Sequence, residues 1–383
     1  MAGLNVLVFN AGSSSFKASL FALEHLADDG DEPSGLLWER SADSPADVEE
    51  LVSTIWTGKK KVLQSAEDID VVGHRVVFGG AELFESTRID EGVRSQLARV
   101  EEYAPAHNAA ALNAIEASRR IFGESVPRIA VFDTAFHRTM PAKAYTYAGP
   151  YVWVEQGIRR FGFHGLSHRY SSHRAARILS SPASDFRVVT CHLGSGCSLA
   201  AVRGGRSVDT TMGFTPLDGI PMARRSGAVD PGILLHLLRH GVHTIDSLDH
   251  LLNHDSGLAG LSGTSGDMRE ILSAIDAGDE RSKLALDVFV HRLCQGIASM
   301  AASAGGMDAL VFTGGVGENA PRVRLAVCEK LKFLGVVVNS TLNATHAGEG
   351  IVSDESSKVA VIVIPAEENW IIAQECLLAT VRK

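Results

Sequence analysis

Apolar and polar positions along the chain alternate between two rhythms. Short runs rich in valine, leucine and phenylalanine read as strands, and between them lie longer stretches with helical spacing. That alternation predicts an α/β fold in which helices cover the sheets. Four runs stand out: Leu4 to Asn10, Ile129 to Asp133, Arg187 to His192 and Ala309 to Thr313, each ending in a polar residue followed by small ones. Two helices carry their own start and stop signals. Asp230 and Pro231 open ILLHLLRH, which Gly241 closes, and Asn319 with Pro321 opens RVRLAVCEKLKFL before Gly335. The acidic, Gly- and Pro-bearing segment from Ala27 to Ser44 reads as an exposed loop.

The four strands are related to one another. VLVFNAGSSS from Val6 matches VVTCHLGSGC from Val188, and VFDTAF from Val131 matches VFTGGV from Val311, both pairs separated by nearly half the chain. The shared spacing points to an internal duplication, two lobes with their small-residue turns facing one cleft.

Composition narrows the partners. The formal net charge of −9 over 383 residues offers no basic field for nucleic acid or anionic lipid, so a small ligand is expected. No run approaches the ~20 apolar residues of a membrane span and the N-terminus has no basic n-region, so the expected location is the cytoplasm. The five cysteines, odd in number and with no CxxC pair, argue against a disulfide framework or a thiolate zinc site and read as reduced thiols.

Small residues after a strand let backbone N–H groups approach phosphate oxygens closely. Three such stretches occur, AGSSS at 11–15, GSGC at 194–197 and GGVGEN at 314–319, and together they point to a nucleotide. There is no GxxxxGK[ST] and no complete GxGxxG, so the phosphates are not held by a P-loop or a dinucleotide fingerprint. Phosphoryl transfer needs cations against the charge of the moving group and a carboxylate for the metal. Arg75 in VGHRVVFGG and Arg225 in PMARRSGAVDP are the candidate cations, with a structural ion pair as the alternative for each. Asp133 ends an apolar strand and Glu368 follows VAVIVIPA, although an Asx turn and a helix N-terminal acid explain them equally. His107, His164 and His192 sit beside small residues at expected turns. Gly165 breaks any HExxH, and GxSxG is absent, which counts against a zinc or serine hydrolase.

The blocks VFNAGSSSFK (8–17), GHRVVFGG (73–80), VFDTAFHRTMP (131–141), FGFHGLSH (161–168), CHLGSG (191–196), MGFTPLDG (212–219) and FTGGVGEN (312–319) resemble the acetate kinase family in order over the whole chain. The resemblance implies the two duplicated lobes of the sugar kinase, Hsp70 and actin superfamily, with the nucleotide cleft between them. Residues 1–135, joined by the C-terminal helix 369–383, would form the N-terminal lobe, and 136–368 the nucleotide-binding lobe. It also implies ATP/ADP with magnesium or manganese, acetate as acceptor, and a homodimer.

By the same resemblance Arg75 and Arg225 clamp acetate and the transferring phosphoryl with His164 assisting, and Asp133 and Glu368 serve the metal, Asn10 standing near it and the phosphates. Ser14, Lys17, His192, Gly194, Ser195 and Gly196 would serve the phosphates. Asp267, Met268, Arg269, Gly315, Val316, Gly317 and Asn319 match positions around the nucleoside, and Val77, Phe163 and Pro216 match the methyl pocket. Four positions depart from the family pattern: Ser195 for a common Asn, Phe78 for a frequent His, PAEEN for PTNEE at 365–369, and Ala106 for a Leu, which widens the expected acid pocket. A propionate or butyrate kinase of the same fold is the nearest alternative. An Hsp70- or actin-type binding module would need a peptide-binding domain or filament contacts, and no extension follows Lys383.

Overall fold

The structure is a computed structural model and describes residues 3–11, 16–42, 48–99, 105–181 and 184–381, without the side chains of 105–107. It divides into two compact units. The first comprises residues 1–138, Phe163–Tyr170 and Glu367–Lys383, and the second Thr139–Gly162 and Ser171–Ala366. The first therefore takes in Phe163–Tyr170, which sequence alone groups with the later part of the chain.

The first unit is built on β1 (Leu4–Ala11), β2 (Phe16–Leu23), β3 (Leu36–Ala42), β4 (Val71–Val76), β5 (Thr87–Arg88) and β6 (Arg128–Phe132), in the spatial order β3-β2-β1-β4-β6-β5. β1, β4 and β6 run parallel, and β2, β3 and β5 are antiparallel to their neighbours. Every position of β1 from Val6 onward is buried, because helices cover both faces of the strand. Leu7, Phe9 and Val72 pack with Ala114, Ala117 and Phe122 of the helix Pro105–Phe122. On the other face lies the helix Glu368–Val381, so close that a Cβ on Gly73 would sit 2.5 Å from Cys376 Sγ. Only glycine allows that approach.

The second unit repeats the plan with β7 (Arg187–Leu193), β8 (Cys197–Arg203), β9 (Arg206–Thr210), β10 (Ala309–Thr313), β11 (Gly350–Ile351) and β12 (Ala360–Val363), ordered β9-β8-β7-β10-β12-β11. Again the middle three, β7, β10 and β12, are parallel and the flanking strands antiparallel. The helix Glu280–Ala304 packs on β7, β8 and β9, started by Asp279, whose side chain accepts the Ser282 N–H, and stopped by Gly305 at φ 77°.

This topology upholds one half of the duplication and corrects the other. β1 and β7 occupy equivalent places, as their sequences suggest. VFDTAF and VFTGGV do not: β6 corresponds in position to β12, whereas β10 corresponds to β4. Their likeness reflects two strands that each end in a turn, not a common place in the repeat. Two further expectations change. The segment 27–44 contains the edge strand β3, anchored by buried Trp38, and Ala320 rather than Asn319 caps the helix Pro321–Lys330. The helix Pro231–Arg239 forms as expected, with the Asp230 side chain accepting the Gly232 N–H. All five cysteines are buried and free. No helix among the described residues is long and apolar enough to cross a membrane.

Candidate active site

In the first unit, the carboxyl ends of the parallel strands bring polar side chains from distant sequence together. Arg75, near the end of β4, is the centre. Its Nε and NH2 donate to the two carboxylate oxygens of Asp133 at 3.0 and 2.6 Å, and NH1 donates to Asn10 Oδ1 at 2.9 Å and lies 3.2 Å from Glu368 Oε2. Asn10 in turn donates through Nδ2 to Glu368 Oε2 at 3.0 Å and to Asn369 Oδ1 at 2.8 Å. Asn369 donates to Ser19 Oγ, Ser19 to Glu39, and Glu39 pairs with Lys17 at 3.0 Å. The network thus runs unbroken from Lys17 to Asp133.

His164 joins the same cluster through its backbone. It adopts the left-handed region at φ 55°, unusual for a residue with a side chain, and its backbone N–H donates to the Asp133 carboxylate. The next residue makes the approach possible, since the Gly165 N–H donates to the Asp133 carbonyl at 2.9 Å and a Cβ there would fall 2.0 Å from that oxygen. His137, fully buried, donates from Nε2 to the Phe163 carbonyl at 3.0 Å and fixes the segment from the other side.

Burial and pairing pull in opposite directions here. Burial raises the Asp133 carboxyl above the usual range, and the Arg75 guanidinium beside it opposes the rise. For Arg75 burial works against the charge, but Asp133 and Glu368 outweigh it and hold the pKa above the ordinary arginine value. Arg75 is a permanent cation.

Val77 and Phe163, expected at the acid's methyl group, are both buried. Phe78 follows Val77, and its ring centroid lies 6.3 Å from that of Phe163. Asn108 grips Phe78 by both backbone groups, accepting its N–H at 3.3 Å and donating to its carbonyl at 2.9 Å. The side chains of Ala106 and His107, and all of Ser14, lie outside the described residues.

In the second unit the matching strand ends carry loops more than charges. Gly194–Gly196 closes the β7–β8 hairpin after His192, and the Ser195 carbonyl accepts the Ala223 N–H at 3.2 Å. Ala223 belongs to the loop bearing Arg225, which donates to the Pro216 carbonyl at 3.2 Å and whose pKa is lowered by burial. A Cβ on Gly266 would meet the Ala223 carbonyl at 2.5 Å, so Asp267 adjoins the same loop. A Cβ on Gly314 would lie 2.9 Å from the Leu193 carbonyl, which places the third Gly-rich motif there too. That motif is a short helix, Gly314–Asn319, and not a turn, with Asn319 donating back to the Gly315 carbonyl. Asp267 caps the helix Met268–Asp276 by accepting the Arg269 N–H and pairs with the Arg269 guanidinium. The Met268 side chain is buried, leaving Asp267 and Arg269 as the accessible members of that trio.

Comparison with known proteins settles the family. The model of the acetokinase family matches residues 5–374. An acetate kinase of Gloeobacter violaceus is 48% identical, the alignment covering 97% of this chain and 98% of the relative. The chain belongs to the acetokinase family. Among solved structures, a Porphyromonas gingivalis acetate kinase is 36% identical with a TM-score of 0.87, covering 98% of this chain and all of that one. A Francisella tularensis propionate kinase is also 36% identical, with a TM-score of 0.85 over 98% and 99% of the two chains.

The acetokinase framework also brings in residues that sequence reasoning passed over. Asn369 was legible, since it adjoins Glu368, but Ser19 and Asn108 carry no local signal, and their roles exist only through partners far along the chain. The donor set also bears on the metal. Among the described residues no three His, Cys, Asp or Glu side chains cluster to hold an ion. Asp133, Glu368 and Asn10 offer hard oxygen donors, and one or two carboxylates supplemented by phosphate oxygens and water are what magnesium ordinarily takes. The residues fit that ion.

Proposed function

We infer that this acetokinase-family enzyme transfers the γ-phosphoryl group of ATP reversibly to acetate, giving acetyl phosphate and ADP. The family match carries the reading, and the Arg75–Asp133–Glu368–Asn10 constellation supports it in chemical terms. An acetate oxygen attacks the γ-phosphorus, the bond from that phosphorus to the β,γ-bridging oxygen breaks, and ADP leaves with the electron pair. The carboxylate is already ionised at neutral pH, so no general base is needed. The chain's residues supply position and charge. Arg75, oriented in advance by Asp133 and Asn10, and Arg225, oriented by the Pro216 carbonyl, neutralise the phosphoryl oxygens and align the acetate carboxylate. His164 assists from its left-handed backbone position. Val77, Phe163 and Pro216 receive the methyl group. The 194–196 and 314–319 segments, with Asp267 and Arg269, hold the nucleotide, and Lys17 and His192 serve its phosphates.

Asp133 and Glu368, with Asn10, would hold magnesium or manganese, which when bound neutralises charge on the phosphates. We also propose a homodimer located in the cytoplasm. Ile233, Leu235, Val242 and Ile245 of the second unit form an exposed apolar stretch suited to contact between two copies.

The test traps the acyl phosphate with hydroxylamine in the presence of ATP and acetate, propionate or butyrate in turn. Hydroxamate that requires both ATP and acid, with the highest kcat/KM for acetate, is the expected result. No hydroxamate above the acid-free control would sink the reading. The likeness to a propionate kinase, at the same 36% identity as the Porphyromonas gingivalis acetate kinase, and the small Ala106 favour propionate as the second substrate, and a higher kcat/KM for it would reverse the order of the two.

A further inference from the structure

One acidic side chain of the second unit does work that the reaction does not require of a ligand. Glu318 lies in the last turn of Gly314–Asn319, yet its Oε1 reaches back to accept the Gly314 N–H at 2.9 Å and also accepts the Ala366 N–H at 3.0 Å. Gly314 opens the Gly-rich helix in the left-handed region at φ 77°, and Ala366 stands two residues ahead of Glu368. A single oxygen therefore ties the nucleotide segment to the stretch that leads into the metal-side carboxylate.

The far end of the same short helix is held just as firmly. Arg324, with 1% exposure, donates from NH1 to the carbonyls of Gly317 and Glu318 at 2.8 and 2.7 Å, and from Nε and NH2 to Asn343 at 2.7 and 2.9 Å. Carbonyls at a helix end need donors, and a buried guanidinium supplies them here. Between these two anchors Gly315 is exposed, and a Cβ on it would meet nothing within 4 Å. The backbone is rigid at both ends and open in the middle, as a surface that receives a ligand must be.

We propose that Glu318 is a positioning residue that sets the nucleotide-binding segment and the approach to Glu368 together, so that nucleotide affinity and metal dependence change in concert when its oxygen is withdrawn. The proposal rests on the reading of 315–319 as nucleotide-binding. Its requirement is reach, not charge: the acceptor must span to two N–H groups.

Two substitutions separate reach from charge. Glu318→Gln keeps an oxygen at the same distance without the charge, and Glu318→Asp keeps the charge one methylene short. In the full chain, MgADP affinity by calorimetry, KM for ATP and for acetate, the magnesium half-saturation point and Tm are measured for both. Glu318→Gln is expected to stay within about threefold of the parent throughout. Glu318→Asp is expected to weaken MgADP and raise the magnesium requirement by about tenfold, with acetate KM within twofold. An aspartate variant that performs better than the glutamine one would assign Glu318 a charge role and overturn the proposal, as would a drop in Tm with kinetics unchanged. Gly315→Leu, whose Cβ meets open space, tests the reading underneath. Loss of MgADP binding supports it, and binding at parental strength refutes both. Loss there, with parental kinetics in both Glu318 variants, refutes the positioning role alone.

Discussion

The two sheets share strand order and direction, yet they are equipped differently. At the strand ends of the first stand side chains: Asn10 in β1, Arg75 in β4 and Asp133 after β6, locked in one ion-paired cluster. At the matching ends of the second stand backbone and glycine: the 194–196 hairpin after β7, whose Ser195 carbonyl accepts the Ala223 N–H of the Arg225 loop, and Gly314 after β10, close against the Leu193 carbonyl. The duplicated scaffold offers the same geometry twice, and the residues divide the labour. One unit concentrates charge, where burial must be offset by pairing. The other presents glycine-rich backbone, where close approach matters more than charge.

The largest expected effect breaks this contrast at its two arginines. Arg75→Ala and Arg225→Ala should each lower kcat by about 10²-fold or more. Only Arg75→Ala should also cost about 3–5 kcal/mol of stability, because it strands the buried Asp133 carboxylate. Urea unfolding beside steady-state kinetics checks both, and adding Asp133→Ala to Arg75→Ala should recover stability without activity. Equal stability losses in the two single variants would erase the distinction.

Glycine substitutions sharpen it next. Gly165→Ala forces a Cβ to 2.0 Å from a backbone oxygen and should destabilise by about 3 kcal/mol, at the upper end for overpacking. At Gly194 a Cβ finds its nearest neighbour at 3.5 Å, an ordinary contact, so Gly194→Ala should leave Tm near the parent and raise KM for ATP. Comparable melting temperatures for the two variants would show that tight packing does not distinguish the units.

Asp133→Asn should raise the magnesium half-saturation point about tenfold. A magnesium titration of the activity decides, and an unchanged curve with a large fall in Tm would make Asp133 purely structural.

The smallest effect concerns acid stability of the first unit. His74 is buried with its pKa lowered to about 3, by burial first and by Arg128 second, and its Nε2 bonds Ser118 at 3.1 Å. The unfolded chain, with the ordinary value of 6.5, binds the proton that the folded one refuses. Stability from this group is therefore complete above pH 6.5 and declines as pH falls toward 3. His74→Gln should flatten the Tm-against-pH curve over that window by up to one proton's worth. An unaltered slope would mean that other groups govern it.

Strands β1, β7 and β10 were legible because each is a run of apolar residues whose meaning is local: contiguous burial demands it wherever the strand lies. The glycines after them were legible as points of close backbone approach, whereas the pairing of Arg75 with Asp133 appears only in the folded chain. The short helix at 314–319 was less so, because glycine permits turn and helix alike.

The sequence by itself determined the family, the α/β class and the runs that become central strands. Tertiary structure alone decided which strand neighbours which, so VFDTAF and VFTGGV, alike in sequence, occupy different places in their sheets. It also decided that Asn10 meets Asn369 across nearly the whole chain, that His164 turns left-handed beside Asp133, and that Glu318 reaches Ala366. The reason is physical. Burial is written in the order of residues along the chain, whereas a hydrogen bond between distant residues forms only once the sheets have set them side by side.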